Sequence, residues 1–163
     1  MNNYKLGALV FAGTIFFTLS TQAGEQPQKG RYVNLKPSEI NCTKLSDMER
    51  HVICTYEIPG VGINADGSLA ARVTKGTLDY IKGEGTAEGY TITTQQDGST
   101  HTSKWSGVSK TNDQKVRVIQ GPYECVAGTG RFAGIKCKGK YVPTVQEGGF
   151  MIGEFEGTMT LPD

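Results

Sequence analysis

Tyr90–Trp105 reads YTITTQQDGSTHTSKW. Two runs with period-two alternation flank Asp97-Gly98, the pattern of an antiparallel hairpin. A two-residue turn at Asp97-Gly98 sets Thr94 opposite His101, Ile92 opposite Ser103 and Tyr90 opposite Trp105, all on one face. The other face carries Thr91, Thr93, Gln95, Thr100, Thr102 and Lys104. It is wholly polar and is expected to meet water. The first face holds the single Trp with a Tyr and an Ile, so it is expected to turn inward. In a dry core its Thr94, His101 and Ser103 would cost free energy as unpaired polar groups. The mixture predicts instead the wall of a small-molecule cavity, with Tyr90, Ile92 and Trp105 as apolar surface and Thr94, His101 and Ser103 as polar anchors. A glycine bulge at Gly98 would shift the register by one, set Tyr90 against Lys104 and undo this lining. Keeping the two aromatics together favours the two-residue turn.

Outward from this hairpin, short alternating stretches recur at 31–36, 52–58, 69–82, 114–126, 133–142 and 150–161. Turn-forming residues separate them: GVGINADGS at 60–68, the glycines Gly83, Gly85 and Gly89, the 127–131 segment, and QEGG at 146–149. The segment 38–50 is read as holding one short helical turn. With the two hairpin strands this makes about eight strands in an all-β chain. The expected fold is a single antiparallel eight-stranded barrel of calycin-like form, with a β-sandwich as the alternative. Closure would remove exposed sheet edges. The last strand places Met151, Phe155, Met159 and Leu161 on one side, with Glu154 and Glu156 facing solvent.

The chain has 163 residues, with Lys+Arg 17 and Asp+Glu 16. Residues 1–23 (MNNYKLGALVFAGTIFFTLSTQA) join a short basic start to an apolar run and a Thr21-x-Ala23 cleavage pattern. This is the form of a secretory signal peptide cut after Ala23, leaving 24–163 as one secreted or periplasmic domain. Removing Lys5 with the signal balances the charges, so no positive field remains to hold nucleic acid. Nothing after the signal is apolar enough for a helical membrane span. Gly is abundant, at 22 residues, without a collagen-like repeat.

Cys42, Cys54, Cys125 and Cys137 form two pairs of equal spacing. An even count in a secreted domain predicts disulfides, and local pairing within each pair is the simplest of three connectivities. Structural zinc uses closer pairs than these. No nucleophile elbow and no metal-ligating cluster is visible, and the two histidines, His51 and His101, lie far apart in sequence. The glycine runs do not match the dinucleotide fingerprint. No cofactor and no metal is expected.

Tyr123–Tyr141 reads YECVAGTGRFAGIKCKGKY, with the core G-T-G-R-F-x-G-x-K-x-K-G, and DGST stands at 97–100. These stretches resemble allene oxide cyclase and dirigent-like barrels. The resemblance implies an eight-stranded antiparallel barrel with an apolar central cavity. Some members of that group cyclise or orient hydrophobic substrates by holding their conformation. The paired cysteines are not part of the motif, and no catalytic residue carries over to a position here. The leading functional expectation is therefore a binder of a small apolar or amphipathic molecule. The alternatives are a cofactor-free isomerase or cyclase using His101 or Glu84, and an envelope interaction or inhibitor protein using loops 60–68 or 143–149.

Overall fold

A computed structural model describes residues 24–162. The signal-peptide reading of 1–23 lies outside the described residues. Nine strands follow one another: β1 (Gln26–Asn34), β2 (Glu39–Leu45), β3 (His51–Ile63), β4 (Leu69–Ile81), β5 (Glu84–Thr94), β6 (Thr100–Thr111), β7 (Arg117–Gly128), β8 (Lys136–Val145) and β9 (Met151–Thr160). One 3₁₀ turn, Gly130–Phe132, links β7 to β8. The strand order is β1-β9-β8-β7-β6-β5-β4-β3-β2, and β1 also pairs with β3. That last pairing, from Arg31↔Ile63 to Asn34↔Gly60, closes eight strands into an antiparallel barrel. The sandwich alternative is excluded.

The ninth strand is β2, which takes the place of the helical turn read at 38–50. Leu35 N donates to Pro59 O and Ser38 N donates to Glu57 O, so the chain runs on from β1 along β3. Past Asn34 it leaves the closed wall and pairs only with the first half of β3. An outlying strand has one neighbour and a free edge. Cys42 and Cys54 are direct cross-strand partners, and their disulfide ties β2 to β3. The second disulfide, Cys125–Cys137, joins β7 to β8. The local pairing read from the spacing is the pairing observed.

Two boundaries differ from the sequence reading, for one reason. Gly60–Ile63 and Glu84–Gly89 are strand, although their glycines suggest turns. Only Lys82-Gly83 turns between β4 and β5, both at positive φ (55° and 90°). Several strand glycines, Gly89 among them, leave room for aromatic rings inside the barrel, whereas Gly60 and Gly85 lie against neighbouring backbone. A Cβ on Gly89 would come within 2.9 Å of Trp105 Cζ2, and one on Gly139 within 2.6 Å of Tyr123 Cε1. Gly30 makes the same space for Phe155, and Gly153 for Tyr32. Strand glycine of this kind marks close approach of a neighbouring group, not a chain reversal. Tyr80, Ala87 and Trp105 form a buried cluster with Val52, Tyr56 and Leu78 packed against it.

Candidate functional site

The hairpin register differs by one from the sequence expectation. Gln95 N donates to Ser99 O and Gly98 N donates to Gln95 O, closing a three-residue loop. Gly98 takes φ +81° and Asp97 Oδ1 accepts from Ser99 N at 3.0 Å. This is the type I turn with a glycine bulge, which Asp-Gly serves as well as the two-residue turn. Thr93 therefore pairs with His101, Thr91 with Ser103 and Tyr90 with Lys104. The β6 half of the expected lining, His101, Ser103 and Trp105, faces the interior. The β5 half does not: Tyr90 is 49% exposed, Ile92 42% exposed, and Thr94 shares their outer face. Thr91, Thr93 and Gln95, expected to meet water, are buried in the wall instead. Trp105 stands opposite Gly89, whose missing side chain gives the indole its place. Glu84 is exposed and its carboxylate accepts from Thr111 N.

The wall encloses a cavity of about 540 Å³. That lies within the range typical of small-molecule pockets, ~300–1,000 Å³. Its apolar surface is largely aromatic. Trp105 and Tyr141 meet edge to face at 5.9 Å between centroids, and Tyr123 and Phe155 do so at 6.2 Å. Phe132, carried in by the 3₁₀ turn, sits 5.0 Å from the His101 ring. Met151, Phe155 and Met159 of β9 also line the space, whereas Glu154 and Glu156 are exposed on its outside.

Polar groups are set among these rings by the ladder. Asn34, Gly60, Arg72, Thr93 and His101 occupy successive partner positions on β1, β3, β4, β5 and β6. Directly opposed residues project to the same side of a sheet, so this row reaches inward together. Thr74 and Thr91 satisfy each other across 3.0 Å. Gln95 accepts from Asn64 at 3.1 Å, and Tyr123 donates to Gln28 at 3.3 Å. Five other cavity-lining atoms are buried yet bonded to no protein group: Asn34 Oδ1, Arg72 Nε, His101 Nδ1, Trp105 Nε1 and Tyr141 Oη. Buried polar atoms are normally paired, so each of these five is free to take a partner from the cavity. Sequence reasoning missed Asn34, Arg72 and Tyr141. Arg72 alternates with Ala70 and Thr74 on β4, and that parity was the available signal.

Burial sets the protonation states. It pushes the His101 pKa down to about 4, with the Arg72 charge acting in the same direction. The imidazole is therefore neutral at neutral pH. Burial raises Tyr32 to about 12, opposed by Arg72, and it also raises Tyr141. Both phenols remain donors. The Arg72 guanidinium lies 4.1 Å from the centroid of the Tyr32 ring. Among the described residues, no group of three or more His, Cys, Asp or Glu is placed to hold a metal ion, and no helix is long and apolar enough to cross a membrane.

No protein-family model matches the chain, and no curated protein matches it by sequence. Solved structures do match in fold. One pterocarpan synthase dirigent protein superposes with a TM-score of 0.53 at 14% identity, covering 96% of this chain and 100% of its own. A second superposes with a TM-score of 0.50 at 13% identity, covering 86% of this chain and 97% of its own. At this identity the likeness establishes the barrel fold and leaves activity open.

Proposed function

We propose that this protein binds a small amphipathic molecule inside its barrel. The observation that carries the reading is the lining: an aromatic wall of Trp105, Tyr123, Tyr141 and Phe155, interrupted by five buried polar atoms that no protein group satisfies. Apolar surface supplies the affinity, and a few fixed polar groups orient the occupant. Of the lining expected from the hairpin, His101, Ser103 and Trp105 serve this role, joined by Thr91, Thr93 and Gln95 from the corrected register. The two disulfides accord with an oxidising compartment, which supports delivery outside the cytoplasm after cleavage at Ala23.

Native mass spectrometry of the mature protein, purified gently from its own host, tests the reading. The expected result is a small molecule of defined mass that mild organic extraction removes. A bare protein mass, together with no uptake of apolar probes, sinks it. Turnover is the second reading, favoured by the unpaired neutral imidazole of His101 at the cavity wall. It requires that the extracted molecule be converted by the protein and that His101→Gln abolish conversion.

A further inference from the structure

Arg72 is the least expected group in this cavity. A guanidinium keeps its charge at any physiological pH. Burying it without an acidic partner is expensive, and proteins normally provide that partner. Here none of the ion pairs among the described residues includes Arg72. Its Nε is buried and unbonded. Its stem lies over the wall, with Cδ 3.3 Å from where a Gly62 Cβ would stand, and its charge stacks on Tyr32. The one carboxylate along the lining is Asp66, which is exposed and already accepts from Ser68 N and Ser68 Oγ, at 2.9 and 2.6 Å. The other basic lining residue, Lys29, is exposed to solvent and so needs no counter-charge. Arg72 is thus the cation of the interior left without a counter-charge.

The neighbours of Arg72 in its row carry no negative charge. They are Asn34, Thr93 and His101, with Gly60 between Asn34 and Arg72, where Val33 O and Asn34 Oδ1 crowd the place a side chain would take. A flat guanidinium fork matches a carboxylate in two parallel hydrogen bonds. Beyond this row the wall carries Trp105, Tyr123, Tyr141 and Phe155 beside the neutral Thr74, Thr91, Gln95 and Ser103.

We infer that the occupant is an amphipathic monocarboxylate, its acid group held by Arg72 and its apolar body lying against Trp105, Tyr123 and Phe155. This assignment rests on the binding reading above and narrows it to one ligand class. The acid satisfies the buried Nε, neutralises the interior charge and fixes the direction in which the molecule enters. The cavity therefore discriminates between an acid and its neutral analogue of the same shape.

Three probes separate this inference from the reading beneath it. N-phenyl-1-naphthylamine is neutral and reports entry to the cavity by fluorescence. 2-Naphthoate and 2-naphthamide share a ring system and differ in charge. Displacement of the bound amine by each is measured at neutral pH. The expected result is at least about tenfold tighter binding of the acid than of the amide, the scale of one charge-assisted contact. In Arg72→Gln the two should bind within about twofold of each other, while the neutral amine still binds. Arg72→Lys should keep part of the preference, since it retains charge without the fork. In ¹⁵N spectra of the unsubstituted protein, the acid and not the amide should shift the Arg72 Nε–H signal, a readout that needs no variant to fold. Equal binding of acid and amide by the unsubstituted protein overturns the inference and leaves the cavity reading standing. Exclusion of the neutral amine overturns both. A preference that survives in folded Arg72→Gln places the anion elsewhere and overturns the assignment to Arg72.

Discussion

His51 and His101 should give this barrel two pH arms of opposite sign that meet near the ordinary histidine pKa. His101 has a folded pKa of about 4. In the unfolded chain a histidine titrates near ~6.5. Between those values the unfolded state binds a proton that the folded state refuses, so stability falls as pH drops through the window. At ~1.4 kcal/mol per pH unit the full loss is about 3 kcal/mol. His51 runs the other way. Its Nε2 lies 2.7 Å from Asp79 Oδ1 and its Nδ1 2.9 Å from Asp47, and these bonds raise its pKa. That stabilisation is complete below the unfolded value and is lost as pH rises through the folded one. Urea denaturation at constant m, from about pH 4.5 to 8.5, should show a maximum near pH 6.5. His101→Gln should flatten the acid arm alone, and His51→Gln the alkaline arm alone. The lowered carboxyls of Asp47, Asp66 and Asp97 act below this range, where they lose their charge. An acid arm of unchanged depth in His101→Gln would refute the burial assigned to that ring.

Three further outcomes follow from the geometry. Gly89→Ala should destabilise the barrel by about 1–3 kcal/mol through overpacking, because its Cβ meets Trp105 and the Lys75 carbonyl, and Trp emission should shift with the displaced indole. Ile92→Lys should change stability by no more than about 0.5 kcal/mol, as an exposed outer position, whereas Thr91→Lys should cost several kcal/mol by thrusting a second cation into the wall beside Thr74; chemical denaturation of the pair reads the hairpin register directly. Replacing Cys42 and Cys54 together by Ser should cost about 3 kcal/mol in the chain-entropy account, and hydrogen exchange should show the loss of protection concentrated in β2.

Most barrel strands were legible because they rest on alternation and turn residues, and equal cysteine spacing favoured the local disulfides without fixing them; closure was not legible, since it rests on the β1–β3 pairing between distant segments. β2 was not, since Glu39–Leu45 is exposed at nearly every position and carries no two-sided pattern. The register of the central hairpin escapes sequence reasoning for an instructive reason. An apolar-in, polar-out rule assumes a dry interior, and it sends Tyr90 and Ile92 inward. This interior is a cavity wall, so threonines line it and part of the apolar surface lies outside. The glycines of β4, β5, β8 and β9 are ambiguous in the same way. Sequence shows a glycine, but only the ladder shows that at Gly89, Gly139 and Gly153 an aromatic ring from the next strand occupies the missing side chain. Strand parity with Ala70 and Thr74 could have turned Arg72 inward, but its lack of an acidic partner is a property of three dimensions.

The claim that the barrel interior admits a molecule beside Trp105 has a direct test, because Trp105 is the single tryptophan of the chain and lines the cavity. Energy transfer from it to N-phenyl-1-naphthylamine should be measured in a titration of the protein. The account predicts saturable quenching of Trp105 with a matching rise in probe emission, at one probe per chain. Trp105 emission that stays constant while the probe remains dark would contradict it.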